Sequence, residues 1–144
     1  MRLENTKFLK YIGLVLKNAL INEDTLNPSD IHYLCYLDSF EWFTTKQIRE
    51  GNLAVRWDIK RWQRMQRDGW IKKTDYKPNT RLGEHNKYTL TTKGKHFVRR
   101  LERQLLGLEE ISESPYTNQT FKQKRKSTTR YAEAIKAFNR DKTR

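Results

Sequence analysis

Five side chains between residues 56 and 67 could act on a polyanion: Arg56, Lys60, Gln63, Arg64 and Arg67. Arginine and glutamine make paired hydrogen bonds to guanine and adenine edges, and lysine neutralises phosphate. At about 100° per residue these five fall on one side of a helix that starts at Val55. Val55, Ile59, Trp62 and Met65 fall on the opposite side, which predicts that Ile59, Trp62 and Met65 hold the helix to a core. Trp57 lies near the polar face and could pack on a sugar or cover the preceding helix. Gly69 is the expected stop, because glycine takes the left-handed C-terminal conformation without steric cost. A solvated basic surface helix accounts for the same stretch equally well, so its neighbours must decide.

Other chemistry has little to stand on. His32, His85 and His96 are scattered, with no carboxylate at metal-ligand spacing. There is no nucleophile constellation, no pair of carboxylates in an apolar setting and no glycine-rich phosphate loop. The expectation is a protein that is not an enzyme and uses no metal or cofactor. The single cysteine, Cys35, sits in YLCYL and reads as a small core residue, with a redox-sensing thiol as the alternative. The 144 residues carry 30 basic and 17 acidic side chains, a formal charge of +13, and most of the excess lies between residues 55 and 104. Charge gathered in this way points to a polyanionic partner. No run approaches the roughly 18 apolar residues that cross a bilayer, and MRLENTKFLK has no signal-peptide pattern. Nucleic acid is therefore preferred to membrane, in an intracellular or nucleoid setting, or in a virion for a viral chain.

The elements around the basic helix follow from local chemistry. Residues 3–21 predict a first helix with apolar positions over a wide arc, including Phe8, Ile12 and Val15, as for a helix with two neighbours. Asn27-Pro28-Ser29-Asp30 is a helix start, opening a helix over 28–39 with Ile31, Leu34, Cys35 and Leu37 inward. Thr44 and Gln47 have the spacing of a capping box and open a short helix over 45–50. Residues 70–76 and 87–91 alternate as strands, joined by a long polar loop with Pro78-Asn79 and Gly83. The hairpin carries Lys72, Lys73, Lys77, Arg81 and Lys87, cations able to reach phosphates or a minor groove. A last long helix over 92–110 has an apolar seam at Phe97, Leu101, Leu105 and Leu108. Residues 112–127 read as a polar linker with the cations Lys122, Lys124, Arg125 and Lys126, and 128–140 as a short helix with Tyr131, Ala134, Ile135 and Phe138 on one side.

This order predicts a mainly α chain with a small β-hairpin: a winged helix-turn-helix with flanking N- and C-terminal helices. The domain expected over 1–111 contains the terminal helices, and 112–144 is a basic linker with a short helix. Met65-Gln66-Arg67-Asp68-Gly69-Trp70-Ile71 resembles the end of the recognition helix in the MarR-type winged-helix family, and Tyr88-Thr89-Leu90-Thr91-Thr92-Lys93-Gly94 resembles the end of its wing. The resemblance implies a homodimer on double-stranded DNA, with Phe8, Ile12, Val15, Leu101, Leu105 and Leu108 at the dimer contact. It also implies that Arg81, within Asn79-Thr80-Arg81, is the wing arginine. That family has Asp where this chain has Asn79, its loop is shorter, and it has no counterpart of 112–144. A transcription regulator is the first reading. A phage or plasmid DNA-handling protein, or a winged helix that binds another protein, are the others. A small-molecule effector would sit between the first helices and the DNA-binding lobe, but the sequence names no residue for it.

Overall fold

The computed structural model describes residues 6–51, 56–122 and 126–141, without the side chains of 6–9 and 126–128. The protein is mainly α-helical with one small antiparallel hairpin. Its contacts form two compact units, one on residues 29–98 and the other on residues from 1–28 and 99–144. The C-terminal segment falls in the same unit as residues 1–28.

The 29–98 unit contains α2 (Pro28–Leu37), α3 (Thr45–Glu50), α4 (Ile59–Arg67), β1 (Ile71–Lys73), β2 (Tyr88–Leu90) and the first half of α5 (Thr92–Leu105). The capping box is formed: Thr44 Oγ1 accepts from the Gln47 amide at 3.1 Å, and Gln47 Oε1 accepts from the Thr44 amide at 2.8 Å. β1 and β2 pair with Ile71 opposite Leu90 and Lys73 opposite Tyr88. Phe43, between α2 and α3, adds a two-bond bridge to Tyr88, with N–O distances of 2.9 and 2.8 Å. An aromatic cluster lies among the aliphatic core residues: the Trp62 ring meets Phe43, Trp57 and Tyr88 with centroids 6.0, 5.4 and 4.9 Å away. Trp70 and Phe97 meet at 5.3 Å. Aromatic pairs at these spacings each add about 1 kcal/mol to the burial of their area.

Cys35 faces solvent, contrary to the core reading. The inward positions of α2 are Asp30, Ile31, Tyr33, Leu34 and Leu37, so the tyrosine takes the place expected of the cysteine. Burial raises the Tyr33 phenol above its ordinary range, and Arg61, over its ring at 5.8 Å, opposes the shift.

The second unit contains α1 (Thr6–Asn22), the second half of α5, α6 (Gln119–Lys122) and α7 (Lys126–Arg140). Residues 3–5, Lys124 and Arg125 lie outside the described residues. Ile135 and Phe138 are buried as their spacing predicts, and Phe138 meets Tyr11 of α1 edge-on at 5.1 Å. The Tyr11 hydroxyl donates to Asp141 at 2.9 Å; burial first, then this bond, raises the phenol's pKa.

The expected linker is ordered by amides. Asn118 Oδ1 accepts from the Thr120 amide at 3.0 Å and starts α6, while its Nδ2 donates to Asn18 Oδ1 at 2.9 Å and to the Ser112 carbonyl at 2.7 Å. Asn22 Oδ1 accepts from the Gln119 amide at 2.9 Å. Asn139 pairs with the backbone of Ile111 in both senses, at 3.0 and 2.8 Å, as a neighbouring strand would. Asn118 and Asn139 are buried, where polar groups require such partners. Composition marks this segment as solvated because it does not show that four asparagines converge on it.

Helix α5 ends at Leu105 rather than near 110. Gly107, at φ 75°, turns the chain so that the Leu108 amide bonds Arg103 and the Gly107 amide bonds Gln104, at 2.8 and 3.0 Å. The buried side of this half of the helix carries Leu101 and Gln104, so Leu108 leaves the expected seam and is 74% exposed. Among the described residues no helix is long and apolar enough to cross a membrane.

Candidate functional site

The basic helix is shorter than its sequence pattern. Asp58, in extended conformation, caps it by accepting from the Lys60 amide at 2.9 Å, so α4 begins at Ile59. Val55 lies outside the described residues, and Arg56 and Trp57 precede the helix in non-helical chain. Ile59 was expected in the core but is 52% exposed. As the first helical residue it has no preceding turn to continue the apolar stripe. Trp62 and Met65 alone carry the buried side. The stop at Gly69 is as expected, with φ 81°: the Trp70 amide bonds Met65 at 2.9 Å and the Gly69 amide bonds Gln66 at 3.2 Å.

Arg64 does not face outward as its helical position predicts: its guanidinium grips the Asp30 carboxylate with two bonds, Nη1 to Oδ2 and Nη2 to Oδ1, both 2.9 Å. Arg61 adds Nε to Oδ1 at 3.0 Å and also donates to the Arg56 carbonyl at 3.2 Å. Asp30 is fully buried. A carboxylate there requires such partners, since an unpaired buried charge is costly. The bond to Asp30 raises the Arg64 pKa, so the guanidinium stays charged. A signal existed in α2, where Asp30 shares a helical stripe with Leu34 and Leu37. An acid on a buried stripe calls for a cation, and Arg61 and Arg64 sit one turn apart to supply it.

What remains outward on α4 is a narrower row. Lys60, Gln63 and Arg67 are exposed at spacings of three and four, and Arg56 is exposed just before them. Arg67 makes a 3.3 Å contact to neighbouring Asp68. Trp57 covers α3: the Arg49 guanidinium lies over its ring at 5.2 Å and Trp62 backs it.

The hairpin is fastened at its base. Thr91 Oγ1 donates to the Gly69 carbonyl at 2.5 Å, and the Thr91 amide donates to the Trp70 carbonyl at 3.0 Å. Lys93 donates to the Asp68 carbonyl at 3.0 Å and lies over the Trp70 ring. A cation suits this negative helix end. Gly94 has no room for a side chain, because a Cβ would stand 2.7 Å from the Trp70 carbonyl oxygen. Lys72, Lys73, Lys77 and Arg81 are exposed as expected. Lys87 is not available in the same way, since its ammonium is held between Trp42 and Tyr76, 3.8 and 4.1 Å from the ring centres.

The hairpin loop is structured at its tip. A single 3-10 turn, Thr80–Leu82, is capped by Asn79, whose Oδ1 accepts from the Arg81 amide at 3.1 Å. Gly83, at φ 74°, closes the turn, and the Asn79 amide donates to Glu84 Oε1 at 2.7 Å. That bond, with a second from Tyr76, keeps the Glu84 carboxylate charged below its ordinary range.

The expected dimer contacts separate. Val15 and Leu101 are buried within the chain and have almost no surface left for a partner. Ile12 and Leu105 are half-buried, Leu108 is exposed, and the side chain of Phe8 lies outside the described residues. Among the described residues no three His, Cys, Asp or Glu side chains gather as a metal-ligand set. No protein-family model, curated protein or solved structure matches this chain.

Proposed function

We propose that the 29–98 unit is a winged helix-turn-helix of the MarR type, which binds double-stranded DNA with α4 in the major groove. The observation that carries this reading is the exposed row Lys60, Gln63 and Arg67 on a helix whose other side is fixed by Trp62, Met65 and the Asp30 clasp. A rigidly seated helix with an outward polar row is what base readout requires. Support also comes from element order: helix, bridging Phe43, capped helix, basic helix, hairpin. In this reading Gln63 and Arg67 reach base edges, while Arg56, Lys60, Lys72 and Lys77 meet phosphates. Arg61 and Arg64 position the helix without touching DNA. The protein acts as a homodimeric transcription regulator, with the contact narrowed to the end of α5, where Leu106 and Leu108 are exposed.

Selection of bound duplexes from a random pool tests this. The expected result is a palindromic motif. Lys60→Ala should weaken all sequences alike and lower the salt slope by about 1, and Gln63→Ala should cost roughly 1–3 kcal/mol of discrimination at one position. Absence of duplex binding at low salt refutes the reading. A second reading, DNA handling without regulation, is favoured by the exposed cations Lys122, Arg130, Lys136 and Arg140 on α6 and α7. A pool without a motif selects it.

A further inference from the structure

Leu82 stands at the tip of the hairpin loop and is 76% exposed. A lone exposed leucine is ordinary on a protein surface; its setting here is not. The turn that presents it is bonded from several directions: the Leu82 amide to the Asn79 carbonyl at 3.0 Å, Gly83 to Thr80 at 3.1 Å, and Glu84 to Asn79 at 3.2 Å. The bracing continues down the loop, since Glu84 is tied to Asn79 and Lys87 is clamped between Trp42 and Tyr76. In the same loop the side chains of Lys77 and Arg81, the residue before Leu82, are exposed cations. The nearest acid in sequence, Glu84, accepts from the Asn79 amide and remains charged, so among Lys77, Arg81 and Glu84 the balance is one positive charge. The tip is thus a braced apolar point in a loop with two exposed cations.

We infer that Leu82 is a wedge that enters the minor groove of duplex DNA and partly unstacks one base step, with Arg81 beside it in the groove. The inference rests on the DNA-binding reading above. Apolar side chains used in this way kink the duplex, and the unstacking energy is recovered through added contact. The wedge must be held by a stiff mount, or the energy of insertion would be lost in rearranging the loop; the capped 3-10 turn is such a mount. A narrow minor groove attracts the flanking cation, which places the leucine over a flexible step. A protein-contact role for the tip would not require cations in the same loop.

The test uses the full chain and a duplex from the selected pool carrying a donor and an acceptor dye at its two ends. Wild-type protein should bring the ends closer. Leu82→Ala should bind roughly tenfold more weakly, by the loss of most of one leucine's burial, and leave the ends apart. Leu82→Met should restore the bend. Leu82→Ala should melt as wild type does, since the side chain makes no core. A Leu82→Ala protein that bends the duplex fully, or a wild type that binds it unbent, overturns the wedge while leaving DNA binding intact. If the wild type binds no duplex, the functional reading fails and the wedge with it. Loss of self-association in Leu82→Ala with DNA bending unchanged also overturns the wedge and assigns the tip to a protein contact.

Discussion

Two regions of this chain tie down polar segments by opposite chemistry. In the 29–98 unit a buried carboxylate, Asp30, draws in Arg61 and Arg64 and sets α4 against α2. In the other unit Asn18, Asn22, Asn118 and Asn139 fasten residues 111–120 with neutral amides. The ionic clasp uses few residues and gains fixed geometry from the fork of arginine, but its parts are expensive to leave alone. The amide clasp distributes many weaker bonds, each of which replaces a backbone or side-chain bond to water. The difference shows that cations counted from a sequence are not all available to a partner. Two arginines of α4 are held by the fold, and the outward row is correspondingly sparser.

The comparison can be broken most directly at Asp30. Asp30→Ala leaves two partly buried guanidinium groups without their acid and should cost about 3 kcal/mol, toward the lower end for a broken buried pair because both arginines keep some solvent. Denaturant unfolding measures it; a cost below about 1 kcal/mol would mean that α4 is seated by Trp62 and Met65 alone. Next in size is Asn139→Ala, which strands the amide and carbonyl of buried Ile111 and should cost roughly 1–3 kcal/mol. Hydrogen exchange at the Ile111 amide should quicken in the same variant, and unchanged exchange would show the amide clasp to be redundant.

The smallest effect sharpens the contrast between buried and surface charge. Glu84 has its folded pKa lowered, chiefly by the Asn79 amide. Its contribution to the loop is therefore complete above the ordinary carboxylate value of 4.5, and is lost as pH falls through the lowered folded value. The Asn79 amide resonance should report this as a titration in acid that disappears in Glu84→Gln. A midpoint at or above 4.5 would contradict the bond.

What could be read from the chain was local. Pro28 at a helix start, Thr44 with Gln47, Gly69 at a helix end and the 131–138 spacing each act within one or two turns, and each is found in place. The hairpin was legible for the same reason. The clasps were not, because they join residues far apart in sequence: Asp30 with Arg64, and Asn18 with Asn118. An asparagine or arginine read alone looks solvated, and only tertiary structure reveals whether its partner is water or another residue. Ile59 illustrates the complement, an apolar residue assigned to a buried stripe that the Asp58 cap cuts off by starting the helix there.

The fastening between Gly69, Trp70, Thr91 and Gly94 has a consequence for how this chain can change. It closes the hairpin below the point where the loop begins, and with the Lys87 clamp on Trp42 and Tyr76 it leaves residues 77–86 outside the fastening. Doubling a loop costs only about 0.6 kcal/mol in closure. The loop is therefore a replaceable cassette: lineages could recut its length and tip, and with them the sequences it prefers, while the helical scaffold stays as it is.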